Sequence, residues 1–136
     1  MIIKSGQQNV PVQQQINRVG AFLFKNIDGA YKFEKTANMY DLYFLMLYEV
    51  PKMQRIPGKA KEGYNDTHEM RLNLNITTYQ NKIRVNLIEI TPEERTLGHM
   101  VIPPEKTQNL QYLKDFIEKW ILKRLKVFYS DYEFIY

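Results

Sequence analysis

The chain has 136 residues, of which 44% are hydrophobic and 25% are charged, and its formal net charge is +4. This balance is typical of a folded chain long enough to bury its own core, and the absence of cysteine excludes disulfides, thiolate zinc sites and cysteine nucleophiles. A chain of this length predicts one domain (1–136). No apolar run approaches the roughly 18 residues of a membrane-spanning helix. We therefore expect an intracellular protein, in the cytoplasm, the nucleus or an organelle.

The first apolar pattern in the chain has helical spacing. Its positions are Val12, Ile16, Val19, Leu23 and Ile27. Pro11 suits the first turn of a helix, and Gly29 can take the left-handed conformation that ends one. The pattern therefore predicts a helix over about 11–27.

The next three segments differ in how clearly they can be interpreted. Residues 30–38 allow a short strand, because aromatic and charged residues alternate there. Residues 40–50 are dense in aromatic and aliphatic side chains and end at Pro51, which favours a buried strand over a helix. Residues 52–66 combine glycine, proline and lysine, which predicts a loop.

The segment from His68 to Thr91 is a predicted β-hairpin whose register follows from its own alternation. A two-residue turn at Gln80-Asn81 makes Leu74 face Leu87. The same register pairs Ile76 with Val85 and Thr78 with Ile83 on one face, and Asn75 with Asn86, Thr77 with Arg84 and Tyr79 with Lys82 on the other. A slip of one residue would bury the polar set, so this register is selected.

After the hairpin, the sequence predicts a third strand over 96–102 and then a long helix. The helix stripe consists of Leu110, Leu113, Ile117, Trp120, Ile121, Leu125 and Phe128. Either Thr107 or Asn109 can cap its start. We therefore predict an α+β fold, an antiparallel meander of three to five strands flanked by an N-terminal helix and a long C-terminal helix.

The sequence shows no catalytic, cofactor or metal motif. It lacks G-x-G-x-x-G, P-loop, H-E-x-x-H and G-x-S-x-G patterns, so we expect no cofactor and no metal. The histidines are His68 and His99. A pairing of His99 with Glu89 is the one acid–base arrangement that the strands allow, and two surface histidines are the favoured interpretation. We therefore expect a protein that is not an enzyme.

A basic, polar surface is predicted on the hairpin and the loop before it. The hairpin face carries Arg71, Asn73, Asn75, Lys82, Arg84 and Asn86. The loop contributes Arg55, Lys59 and Lys61, and the end of the last helix adds Lys123 and Arg124. Such side chains can contact phosphates and bases, although only Tyr79 offers a ring for stacking. A solvated sheet face is the simpler interpretation.

The chain finishes with unusually aromatic residues, namely Tyr129, Tyr132, Phe134 and Tyr136. Two alternatives remain open, since such a tail can pack on its own domain or anchor in a partner, where tyrosine and phenylalanine are enriched. Our leading hypothesis is a non-enzymatic protein-interaction module, a small subunit of a larger assembly that docks through this C-terminus. The alternative is an RNA- or DNA-binding domain that uses the basic hairpin face and the 52–61 loop.

Overall fold

The computed structural model describes residues 12–50 and 67–135. The described elements are, in chain order, α1 (Val12–Asn26), β1 (Ala30–Lys35), β2 (Tyr40–Glu49), β3 (Thr67–Tyr79), β4 (Lys82–Thr91), β5 (Arg95–Ile102), a 3-10 turn (Pro104–Thr107), α2 (Leu110–Phe128) and β6 (Glu133–Ile135). The predicted loop over 52–66 lies outside the described residues. The prediction of an α+β fold with two flanking helices is confirmed.

The strands form one antiparallel sheet in the order β1-β2-β3-β4-β5, with β6 paired to β2. Strand β1 pairs with the first half of β2 and β6 pairs with its second half, so the two short strands share one edge. Among the described residues the sheet thus has six strands, one more than the upper end of the prediction. The additional strand is the C-terminal one.

The central hairpin has the predicted register. Leu74 faces Leu87, and Asn75 faces Asn86. Gln80 and Asn81, the two residues of the turn, have φ angles of 52° and 64°. Two consecutive left-handed residues match the twist of the flanking strands, and asparagine tolerates this conformation better than most residues.

Both helices cover the same face of the sheet. The buried helical residues are Ile16, Val19 and Leu23 in α1 and Leu113, Ile117, Ile121 and Leu125 in α2. They join one core with the alternate residues of β2, β3 and β4, among them Leu42, Leu74 and Val85. We call this the covered face and the opposite one the open face. No described helix is long and apolar enough to cross a membrane.

The cap of α2 resolves one open alternative. Asn109 is the N-cap residue, because its side-chain oxygen accepts a hydrogen bond from the backbone N–H of Tyr112 at 3.0 Å. Thr107 instead ends the preceding 3-10 turn, where its carbonyl oxygen accepts a hydrogen bond from Arg18 of α1 at 3.0 Å. The start of α2 is thereby tied to α1.

Gly20 allows α1 to approach the sheet closely. A Cβ atom at this position would overlap the ring of Tyr40, which is itself buried. We predict that Gly20→Ala lowers the free energy of unfolding by about 1–3 kcal/mol, because overpacking outweighs the better helix propensity of alanine. Urea denaturation measures this change, and an unchanged or higher stability would contradict the packing argument.

Candidate functional site

The open face is the most distinctive surface of the described chain. Its side chains come from the positions that alternate with the core, and the hairpin contributes Arg71, Asn73, Asn75, Thr77, Tyr79, Lys82, Arg84 and Asn86. The six hairpin positions predicted to form a polar face therefore do share one face. Ile88, which pairs with Asn73, continues this face, and neither described helix covers it, since both helices pack on the other side.

A row of hydrogen-bonded polar side chains crosses the middle of the open face. Asp41 accepts hydrogen bonds from the amides of Asn75 at 2.8 Å and Asn73 at 3.3 Å. Asn75 in turn accepts one from the amide of Asn86 at 2.9 Å, and His99 faces Asn86 on β5. These bonds fix the orientation of the amides, so the row presents an ordered polar strip rather than independent side chains.

Tyrosines flank this row, and each has a cation beside its ring. Lys32 lies 4.8 Å from the ring centre of Tyr43, and Arg84 lies 5.6 Å from that of Tyr79. The guanidinium of Arg71 is 5.6 Å from the ring centre of Tyr31. Of these three tyrosines only Tyr79 was predicted for this face, because Tyr31 and Tyr43 reach it through β1 and β2, whose pairing with the hairpin is a long-range property.

Two carboxylates on the open face, Asp41 and Glu34, have partners of their own. Asp41 accepts the amides described above, and Glu34 accepts a hydrogen bond from the hydroxyl of Tyr43 at 3.3 Å. Burial, followed by the neighbouring Asp41 and Glu34 carboxylates, raises the pKa of Tyr43, so its hydroxyl stays protonated and donates. Lys82 and Arg84 at the hairpin tip have no acidic neighbour across the register, since they face Tyr79 and Thr77.

The other predicted nucleic-acid contacts do not join this surface. Lys123 and Arg124 lie on α2, on the covered side of the sheet. Arg124 donates a hydrogen bond to the carbonyl of Leu97 at 2.7 Å, which ties α2 to β5. Arg55, Lys59 and Lys61 lie outside the described residues. The structure therefore places Arg71, Lys82 and Arg84 on one face, with Arg71 at the far end of the hairpin from the other two, and separates them from the helix cations.

A buried carboxylate anchors the C-terminal tail. The side chain of Glu89, on the covered face of β4, is 0% exposed and accepts hydrogen bonds from the Tyr129 hydroxyl at 2.7 and 2.8 Å. The backbone N–H of Glu93 donates to it at 2.9 Å, and Arg95 pairs with it at 3.3 Å. Arg95 also donates to the Tyr129 hydroxyl at 2.8 Å. The carboxylate is thus held by three groups, as a buried charge requires.

Stacked rings continue from this anchor toward the edge of the sheet. Tyr129 and Tyr132 have ring centres 4.9 Å apart, and Tyr132 stacks on Tyr48 at 5.1 Å. Phe134 lies on β6 and faces Tyr48. Three of the four aromatic residues predicted to contact a partner are thus partly buried against the core. Tyr136 lies outside the described residues, and partner contact at these positions stays a prediction.

His99 does not form an acid–base pair with Glu89. His99 faces Asn86 on the open face, whereas Glu89 lies on the covered face against Tyr129. The pairing considered from the sequence fails because the two residues have opposite positions in the strand alternation. His68 stacks on Tyr48 with ring centres 5.4 Å apart. The described residues contain no group of three or more histidine, aspartate or glutamate side chains that could hold a metal ion.

We compared the chain with protein-family models, with curated proteins and with solved structures, and none of the three comparisons found a match.

Replacing Tyr129 tests the anchor. Tyr129→Phe removes the hydroxyl that bonds Glu89 and Arg95, and leaves the buried carboxylate with fewer partners. We expect the free energy of unfolding to fall by about 1–3 kcal/mol in urea denaturation. The control is Tyr112→Phe on the exposed side of α2, which should change it by less than about 0.5 kcal/mol. Equal effects of the two substitutions would argue against the anchor.

The same hydroxyl predicts how stability depends on alkaline pH. Burial, strengthened by the hydrogen bond to Glu89, raises the pKa of Tyr129 from 10.0 to about 12. The folded state therefore holds this proton more tightly than the unfolded state, so the stabilisation is complete below pH 10 and is lost as the pH rises toward 12.

Urea denaturation from about pH 9 to about pH 11.5 measures this loss. We expect wild-type stability to fall more steeply than that of Tyr129→Phe over this range. Absorbance of tyrosinate should in addition show that the variant lacks one of the late-titrating tyrosines of the wild type. Identical pH profiles for the two proteins would contradict the assignment.

Proposed function

We propose that this protein is a non-enzymatic interaction module, a subunit of a larger assembly, and that it docks a protein partner on the open face of its sheet. The observation that supports the proposal is the composition of that face. Tyrosine and arginine are the residues that most often dominate binding energy at protein interfaces. Here Tyr31 and Tyr79 are 43% and 45% exposed, and each lies beside an arginine.

The order of the face supports the same proposal. The amide row and the cation–tyrosine pairs are held by neighbouring strands before any partner arrives. Side chains that are already oriented lose less conformational entropy on binding, which favours affinity. Val101 adds exposed apolar area at the β5 edge of the same surface. A partner surface with carboxylates around an apolar centre would complement it.

Docking through the C-terminal aromatic residues is the weaker version of this proposal. The Tyr129 hydroxyl is hydrogen-bonded to Glu89 and Arg95. The ring of Tyr132 is stacked between those of Tyr48 and Tyr129. A partner that took up these rings would have to replace contacts that hold the tail on the sheet. Removing residues 131–136 is therefore a poor test of docking, since it also removes β6.

Nucleic-acid binding is the second candidate, and the hairpin tip favours it. Lys82 and Arg84 are free of acidic neighbours across the register and flank the exposed ring of Tyr79. A ring beside cations can stack a base while the cations contact phosphates. In this case a labelled single-stranded oligonucleotide should bind with an affinity that falls steeply with salt, and Arg84→Glu should weaken it at least tenfold. Binding that does not depend on salt would remove this candidate.

The primary test is an affinity purification of the tagged protein from the cells that express it. Wild type is compared with Arg71→Glu on the open face and with Lys123→Glu on α2, which reverses one exposed charge on the other side of the sheet. We expect the proteins recovered with wild type, identified by mass spectrometry, to be reduced at least about tenfold in Arg71→Glu and unchanged in Lys123→Glu.

Each preparation is divided into two halves, and one half is treated with nuclease before purification. Protein partners that persist after nuclease treatment and depend on Arg71 support the proposal. Partners that disappear with nuclease favour the second candidate. Loss in Lys123→Glu with retention in Arg71→Glu would overturn docking on the open face and move it to the side of α2 and the C-terminal tail.

A further inference from the structure

A second surface, apart from the amide row and the tyrosines, lies at the edge of the sheet. Strand β1 pairs with β2 as far as Phe44, and β6 begins to pair with it at Leu47. Between them, the backbone N–H of Leu45 donates to the carbonyl of Gly29 at 3.0 Å. The step from β1 to β6 leaves a groove between this edge and α2, with a volume of about 810 Å³.

The groove is apolar inside. Its apolar lining consists of Ile27, Phe44, Leu45, Met46, Leu47, Ile121, Leu122 and Ile135. Gly29 forms part of the wall with a φ of 86°, and a Cβ atom there would overlap the carbonyl oxygen of Leu45. The turn after α1 can therefore lie against β2 only with glycine at this position. The volume lies within the range of about 300–1,000 Å³ that ligand-binding clefts occupy.

The rim of the groove is acidic although the chain is basic. Its charged residues are Asp28, Glu69, Asp115 and Glu118 against Lys114 and Lys119, four carboxylates against two ammonium groups. One of these ammonium groups is already paired, since Lys114 lies 3.1 Å from Glu118 and 3.9 Å from Asp115. A net rim charge of −2, from four negative and two positive groups, contrasts with the net charge of +4 for the whole chain.

We propose that this groove binds a short segment of a partner protein in which an apolar side chain is flanked by lysine or arginine. The apolar side chain would lie against Leu47 and Ile135, the exposed part of the apolar lining, and the flanking cations would lie against the carboxylates of the rim. Complementary charge selects a basic segment over an acidic one, and burial of the apolar side chain supplies the affinity. The groove adjoins the open face, since Leu45, Leu47 and Glu69 occupy open-face positions of β2 and β3, but its lining includes neither the amide row nor the open-face tyrosines.

The test is a selection from a phage-displayed library of short random peptides against the whole chain. We expect enriched sequences to place leucine, isoleucine, phenylalanine or methionine next to lysine or arginine. Enrichment of acidic or wholly polar sequences, or no enrichment, would overturn the proposal. The strongest peptide is then synthesised with a fluorescent label and its affinity is measured by polarisation.

Matched variants place the peptide in the groove. Leu122→Trp fills it, and Val127→Trp adds the same ring to an exposed position of α2 outside it. Asp28→Lys with Asp115→Lys reverses the rim, and Glu94→Lys with Glu105→Lys makes the same charge change elsewhere. We expect binding to weaken about tenfold in each groove variant and to stay unchanged in its control.

Equal binding by wild type and both groove variants would overturn the assignment. A second copy of the chain is the competing occupant. Self-association in size-exclusion chromatography that Leu122→Trp abolishes and Val127→Trp leaves unchanged would assign the groove to that copy instead of a partner peptide. Because these measurements do not involve Arg71 or Arg84, their outcome is independent of the proposal for the open face.

Discussion

The pleat of the central hairpin is the constraint on which the rest of the fold depends. Alternate residues of β3 and β4 must lie on opposite faces, and Leu72, Leu74 and Ile76 bring one face to 0% exposure beneath the helices. With that face assigned, the side chains of Asn75 and Asn86 have to lie on the other one. Both helices then pack on the apolar side, because removing its apolar surface from water is favourable. The open face is therefore a consequence of the core.

Glu89 is the exception that connects the sheet to the tail. It occupies a core position in the alternation of β4, where the preceding members are Ile83, Val85 and Leu87. A buried carboxylate is tolerated only with partners, and Tyr129, Arg95 and the backbone of Glu93 supply them. Since Tyr129 directly follows α2, this bond sets where the helix ends and brings Tyr132 and Phe134 onto Tyr48. Glu89 thus holds the start of the described tail, and the pairing of β6 with β2 holds its end.

Local patterns predicted the hairpin register, both helices and the Asn109 cap alternative, because neighbours in sequence decide each of them. Three features depend instead on contacts between distant segments, which local periodicity and propensity do not encode. They are the place of β6, the partners of Glu89, and the positions of Tyr31 beside Arg71 and Tyr43 opposite Asn73. The alternation of β4 did contain one signal of a tertiary contact. It put Glu89 on the apolar face of β4, where a carboxylate needs partners and therefore indicates a tertiary contact.

Strand β2 contributes to both proposed surfaces, and their charges keep the two apart. Tyr43 lies on the open face beside Lys32, whereas Phe44 and Met46 face the groove whose rim is acidic. At the cationic hairpin tip, Lys82 and Arg84 attract carboxylates or phosphates, while the rim attracts lysine and arginine. A partner segment of uniform charge that suits one surface is repelled by the other. Under the two proposals, occupation of both surfaces therefore requires two different segments.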